Sequence, residues 1–164
     1  MKILVLSDSH SSLRFMQQCI KKIKPQHVIH LGDHYEDATV MAQEFSEIVF
    51  HQVLGNCDRH RCLQWQPDTL CYAIQGVKFY MTHGHRFAVK SDTNLLLQAA
   101  RENKVQAVLY GHTHVAECYL TDEGMWVMNP GSCGSSSGSA GVIEIEDEKI
   151  SACYILRQAD VNGI

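Results

Sequence analysis

At 164 residues, with 45% apolar and 20% charged side chains, the chain has the length of one domain, 1–164, and ordinary globular usage, which excludes a disordered chain, a collagen and a long coiled coil. A chain this long buries roughly 70% of the surface its unfolded form exposes, so it needs no disulfide or structural metal to fold. A net charge of −4, from 14 basic and 18 acidic residues, excludes a global basic surface for sequence-independent nucleic-acid binding. Ten histidines are the one unusual number.

Residues 2–6 form a short aliphatic run that reads as a buried strand. Ser11 and Ser12 can cap the next element, a helix with Leu13, Met16, Ile20 and Ile23 at i, i+3, i+7 and i+10, ended by Pro25. Residues 27–31 read as a second strand, stopped by Gly32-Asp33. Residues 37–45 read as a second helix, with Val40, Met41 and Phe45 apolar, and 48–54 as a third strand, stopped by Gly55-Asn56. The first third is therefore β-α-β-α-β, the pattern of parallel strands with right-handed crossovers. The polar stretch 57–69, with Pro67, reads as a loop, and 70–75 with 77–82 as a hairpin about Gly76. Asp92 can cap a helix carrying Leu95, Leu96, Ala99 and Ala100. Residues 105–110 form another apolar strand. The runs 115–120, 125–128, 141–146 and 149–156 read as short strands closing in an antiparallel meander. The Gly- and Ser-rich piece 131–140 reads as a loop, and there is no internal repeat.

The opening residues lack the apolar core of about 7–15 residues that a secretory signal needs, and no apolar run approaches the roughly 20 residues of a membrane span. The seven cysteines, Cys19, Cys57, Cys62, Cys71, Cys118, Cys133 and Cys153, are odd in number, scattered and without a C-x-x-C pair. They read as reduced thiols of a cytoplasmic protein, not as a disulfide framework or a zinc finger.

Polar clusters stand at the strand ends: Asp8-Ser9-His10, Gly32-Asp33, Gly55-Asn56-Cys57-Asp58, Thr82-His83-Gly84-His85 and Gly111-His112-Thr113-His114. In an open α/β sheet ligands collect outside the carboxyl ends of strands, so these clusters converge. Glycine lets the backbone turn sharply and approach closely there. Asp8, His10, Asp33, Asn56, His83, His112 and His114 are oxygen and nitrogen donors suited to manganese, iron, zinc, nickel or cobalt. Seven donors are too many for one tetrahedral zinc and suit two ions sharing a bridging carboxylate. Singly the motifs are weak, since Asp-x-His and Gly-Asn-x-Asp are common turn compositions; their occurrence in this order, each at a strand end, carries the specificity.

Together these motifs, with Asn129-Pro130-Gly131-Ser132, resemble those of the calcineurin-like metallophosphoesterases, and most closely their small bacterial and archaeal YfcE-type branch. The resemblance spans 2 to about 156. It implies an α/β fold of two mixed β-sheets packed as a sandwich flanked by helices. It implies a cofactor of two divalent ions, manganese favoured: one held by Asp8, His10 and His114, the other by Asn56, His83 and His112, with Asp33 bridging. The activity it implies is hydrolysis of small phosphodiesters by attack of a metal-bridging hydroxide. The partners expected are that substrate, no long nucleic acid and no membrane, with a homo-oligomer left open.

The chain departs from the family in two places. Cys57 stands where many relatives carry a histidine that protonates the leaving oxygen, although the YfcE-type branch often shows this cysteine. A thiol is a poor substitute, so His85 becomes the candidate general acid, with a role in orienting His83 or contacting phosphate as its alternative. Asp58 is assigned a supporting catalytic place. Relatives often carry an arginine after Asn129-Pro130-Gly131-Ser132; the stretch here has no cation, and Arg59 and Arg86 become the substrate-binding candidates. His27 and His51 read as packing or surface residues, and His30, His34 and His60 as neighbours of motifs. Glu36 and Asp37 read as supporting groups or helix N-terminal charges. The competing functions are a scaffold, as in a retromer subunit that shares this fold but has lost key metal histidines, and a phosphomonoesterase or nuclease of the same superfamily. The presence of His10, His83, His112 and His114 favours the enzyme.

Overall fold

Alternation along the first strand organises the molecule, of which a computed structural model describes residues 1–58 and 65–162. β1 (Lys2–Leu6) is followed by α1 (Leu13–Ile23), β2 (His27–His30), α2 (Tyr35–Glu44) and β3 (Val49–Gln52). β1, β2 and β3 pair in parallel, in the order expected of successive right-handed crossovers. Leu4 and Leu6 of β1 point to one side, where they meet Phe15, Met16 and Ile20 of α1 and Met41 of α2. Ile3 and Val5 point to the other side, against Phe79, Met81, Leu109 and Met128 of a second sheet. Both faces are covered, which is why β1 reads as an unbroken apolar run instead of an alternating one.

The second sheet contains β4 (Thr69–Ile74), β5 (Val77–Thr82), β6 (Ala107–Leu109), β7 (Glu117–Leu120) and β8 (Trp126–Asn129), in the order β4-β5-β6-β8-β7. β4 and β5 form the expected hairpin: Ile74 pairs with Val77 across Gln75 and Gly76, whose φ values of 49° and 78° suit a primed two-residue turn. The outer face of this sheet, through Tyr80, Val108 and Val127, packs on Leu96 and Ala100 of α3 (Asn94–Glu102). The layers are therefore helix, sheet, sheet, helix, two mixed five-stranded sheets in a sandwich flanked by helices.

The end of the chain differs from the expected meander. β7–β8 is one antiparallel hairpin, and β9 (Ser139–Glu146) with β10 (Lys149–Arg157) is another. They lie in different sheets: β8 pairs in parallel with β6, and β9 runs antiparallel to β1. Apolar periodicity marks a strand but not its partner, so four successive strands look like one meander and instead form two hairpins in different sheets. The Gly- and Ser-rich piece is the crossover between the sheets, and its last residues, Ser139 and Ala140, are buried in β9. A short α4 (Gln158–Val161) closes the described chain, with Arg157 N–H donating to Asp160 Oδ2 at 2.8 Å.

His27 of β2 and His51 of β3 lie side by side. Their rings stack with centroids 5.2 Å apart and Nδ1 of His27 is 2.9 Å from Nε2 of His51. Nδ1 of His51 meets the Tyr72 hydroxyl of β4. Burial, and then the neighbouring His27, push the His51 pKa down to about 4; burial lowers His27 as well. Both imidazoles are thus held neutral in the fold while the unfolded chain protonates them near pH 6.5. The unfolded state binds more protons in that window, so stability is complete above about pH 6.5 and is lost as pH falls toward 4. Thermal unfolding followed by circular dichroism in the presence of chelator is expected to show Tm falling over this range, and falling less steeply in His51→Gln. An unchanged slope in the variant contradicts the assignment.

Candidate metal centre

Parallel β1, β2 and β3 of one sheet and parallel β5 and β6 of the other each end in a loop carrying one of the polar clusters. Backbone hydrogen bonds fasten these loops together: Asp8 N–H to Gly32 O at 3.0 Å, and Gly111 N–H to His83 O at 3.1 Å. Between the sheets, Nδ1 of the fully buried His83 lies 2.8 Å from Leu31 O. With Nδ1 engaged by that carbonyl, Nε2 is the nitrogen turned toward the other donors. The glycines permit this closeness. A Cβ on Gly55 would sit 2.1 Å from Asp33 Oδ1, and one on Gly111 would sit 2.0 Å from Ser7 Oγ.

Two groups of donors result. In one, single donor atoms of Asp8, His10 and His114 lie within 4.8 Å of each other; in the other, those of Asp8, Asp33 and His83 do. Asp8 belongs to both. Asn56 Oδ1 is 3.1 Å from His83 Nε2, Asp33 Oδ1 is 3.5 Å from the same atom, and the His112 ring centroid is 5.0 Å from that of His83. The loops are strained to achieve this. Asp8, His10, Asp33, His112 and His114 all adopt the left-handed region, at φ 51°, 43°, 58°, 69° and 61°, which costs a residue with a Cβ about 1–2 kcal/mol.

The Asp8 carboxylate is fully buried. Its Oδ2 accepts from Ser7 Oγ at 2.6 Å and from His112 N–H at 3.1 Å. Among the described residues its Oδ1 accepts no hydrogen bond, and it faces His114 Nε2 at 3.0 Å and His83 Nε2 at 4.0 Å. A buried carboxylate oxygen left without a hydrogen bond is costly unless a cation meets it. Carboxylate, amide and imidazole donors, with no thiolate in either group, fit first-row divalent ions. For Asp33, burial works against the charged form. The His83 imidazole and the Cys57 N–H, which donates to Asp33 Oδ1 at 2.9 Å, outweigh it and hold the pKa below the ordinary value. Burial, then the charges of His83 and Lys90, lower the His112 pKa.

Other polar residues position these loops. Buried Asp58 accepts from Asp33 N–H at 3.0 Å and Gly55 N–H at 2.7 Å through Oδ2, and from Tyr35 N–H at 3.0 Å through Oδ1. It therefore ties the second cluster to the third. Asp37, in the first turn of α2, accepts from Ser9 Oγ at 2.7 Å and Ser11 N–H at 2.8 Å, so it holds the first cluster. Asn129 Nδ2 donates to Gly111 O and Thr113 Oγ1, and Ser132 Oγ donates to Asp8 O. The Asn-Pro-Gly-Ser motif stands out in sequence, but nothing in its spacing assigns these two residues a task. The His85 ring lies 5.4 Å from His83 and 6.2 Å from His112, centroid to centroid. Cys57 is exposed, its pKa raised to about 11 by burial of the sulfur's surroundings and by Asp33. Arg86 pairs with Asp68 at 2.7 Å, while Arg59 and His60 fall outside the described residues. The cation whose field reaches His112 is Lys90, which no sequence motif flags.

The geometry has counterparts. The sequence profile of the calcineurin-like phosphoesterase superfamily domain matches residues 1–148. A probable metallophosphoesterase of Mycoplasma pneumoniae is 31% identical over 136 residues, 80% of this chain and 78% of that protein. A phosphodiesterase of Methanocaldococcus jannaschii is 28% identical over 166 residues, 91% of this chain and 96% of that one. Among solved structures, Vps29 of Entamoeba histolytica in complex with zinc superposes with a TM-score of 0.74 at 21% identity, over 96% of this chain and 98% of that one. Among the described residues no helix is long and apolar enough to cross a membrane.

Asp58→Ala strands three backbone donors, each worth about 1–3 kcal/mol when left unsatisfied in the interior. The expected outcome is a Tm drop of several degrees together with weakened metal retention, read by thermal unfolding and by metal analysis after gel filtration. Wild-type values for both would show that Asp58 does not hold these loops.

Proposed function

Because the chain belongs to the calcineurin-like phosphoesterase superfamily, we propose that it is a metal-dependent phosphodiesterase acting on small phosphodiesters. The observation that carries this reading is the buried Asp8 carboxylate, whose Oδ1 accepts no hydrogen bond among the described residues and which belongs to both donor groups. In this reading Asp8, His10 and His114 hold one divalent ion, Asn56, His83 and His112 hold the other, and Asp33 bridges them, with manganese the favoured metal. Such a pair, when bound, lowers the pKa of water toward neutrality and neutralises charge on phosphoryl oxygens.

The remaining residues orient and hold the substrate. A cavity of about 560 Å³ beside the centre is lined by Val89, Lys90, Tyr110, Thr113, Val115 and Tyr119. Thr113 lies between His112 and His114, so the cavity adjoins the donors and can take one ester substituent of the diester. Lys90 is the cation of that lining, which also carries the carboxylates of Asp92 and Glu117. Arg86, engaged by Asp68, has less to offer a phosphate. His85 lies beside His83 and His112 and is the candidate proton donor to the leaving oxygen, with orienting His83 or contacting phosphate as its alternative role, since Cys57 replaces the histidine that many relatives use.

The likeness to the Methanocaldococcus phosphodiesterase supports a diesterase. The likeness to Vps29 supports the fold alone and leaves a scaffold as the rival. The four imidazoles of His10, His83, His112 and His114, gathered at one end of the sandwich, weigh against that rival. The cysteines that the structure describes are free thiols, which suits a reducing cytoplasm.

Metal analysis combined with a chromogenic diester assay, with and without chelator, decides between the two. Chelator-sensitive turnover is expected; stoichiometric metal with no turnover on any diester overturns the enzymatic reading. Asp33→Ala is expected to lose both ions and nearly all turnover, and near-normal turnover removes Asp33 from the bridging position. With a weak acid at the leaving group, aryl diesters are expected to be hydrolysed far faster than alkyl diesters. Equal rates at matched binding would reveal an efficient proton donor.

A further inference from the structure

β7 and β10 are edge strands of their respective sheets, and they bring two cysteines together. Cys118 of β7 and Cys153 of β10 stand with Sγ atoms 2.9 Å apart, 35 residues from each other in the chain. Both are free thiols, partly buried, and both pack against the core between the sheets. The other described cysteines have different neighbours. Cys71 contacts Asn103, Cys57 lies beside Asn56, and Cys133, whose sulfur contacts the Ser139 carbonyl, shares the buried core under α1 with Cys19.

We propose that Cys118 and Cys153 are a peroxide-responsive dithiol that closes into a reversible intrachain disulfide and clamps the edges of the two sheets. The sulfurs have only to close from 2.9 Å to about 2.05 Å. Each thiol has the other within reach as its resolving partner, and the proposed route takes Cys118 as the attacking thiolate and Cys153 as the resolving thiol. The Cys118 thiolate attacks one oxygen of hydrogen peroxide; the O–O bond breaks, and the departing hydroxide takes up a proton to leave as water. The Cys118 sulfenic acid is then attacked by the Cys153 sulfur, which forms the S–S bond and expels a second water. The two thiols lose two electrons, and the peroxide gains them. A dithiol reductant restores the starting state by thiol–disulfide exchange.

The bond would join strands that hydrogen bonds alone do not connect, since β7 pairs only with β8 and β10 only with β9. β7 begins three residues after His114, and its Glu117 accepts from the Tyr110 hydroxyl in the wall of the cavity beside the metal centre. Oxidation therefore fastens the segment that follows the last pair of candidate metal ligands to the opposite sheet.

The test uses the full chain, treated with a small excess of hydrogen peroxide and then with an alkylating agent. Intact mass and a peptide map of the non-reduced digest provide the readout. The expected result is a mass loss of two hydrogens, a linked peptide containing Cys118 and Cys153, full reversal by dithiothreitol, and a Tm rise of about 5–10 °C in the oxidised form. Cys118→Ser and Cys153→Ser are each expected to abolish the linked peptide and the Tm rise. A sulfinic acid at Cys118 with Cys153 still alkylatable, a link to a different cysteine, or no oxidation at either position overturns the proposal. The wild-type map decides the matter even where a variant folds poorly.

Discussion

The Asp8 carboxylate sits fully buried where the two sheets meet, with Oδ2 held by Ser7 and His112 and Oδ1 held, among the described residues, by no hydrogen bond. An ionised carboxylate in such a place is tolerated only if cations or donors answer it. The imidazoles of His83 and His114 approach the open oxygen from the two sheets. Much of the architecture at this end of the sandwich can be understood as the means of holding those groups around one unsatisfied oxygen.

That arrangement is expensive locally and is supported from outside. Five of the donor residues lie in the left-handed region of backbone space, where a side chain is strained. Such conformations persist only when neighbours over-determine them. Here the neighbours are buried polar groups with more than one partner each: Asp58 on three backbone N–H groups, Asp37 on Ser9 and Ser11, and Asn129 bridging Gly111 and Thr113. The rigid layers beneath, packed on Phe79, Leu4 and Met16, give those networks a fixed base. The chemistry thus rests on loops, but the loops rest on strands that all stop at the same level.

The same fold carries proteins of different kinds. The likeness to Vps29 covers almost the whole chain at 21% identity, and a likeness of that kind speaks for the fold and not for the function. The cavity beside the donor set is bordered by Lys90 and Tyr119 together with the carboxylates of Asp92 and Glu117.

Much of this is visible in the sequence because it is local. The run Ile3 to Leu6, the stripe Leu13, Met16, Ile20 and Ile23, and the turn at Gln75-Gly76 each state their own conformation within a few residues. The glycine-flanked Asp, Asn and His clusters announce a donor-rich site because those residue types have no packing reason to recur after strands. Other features are not visible: that β8 and β9 join different sheets, that Arg86 already has Asp68 as a partner, and that Lys90 stands near His112. Nor does the spacing of Cys118 and Cys153 reveal their contact. Strand identity and motif chemistry depend on neighbours in the chain, so the sequence alone determined them. Which sheet a strand enters, which oxygen of Asp8 is left open and which side chains meet across the sandwich depend on groups as far apart as Asp8 and His112, 104 residues in sequence. Only the folded chain, by burying them together, decided those.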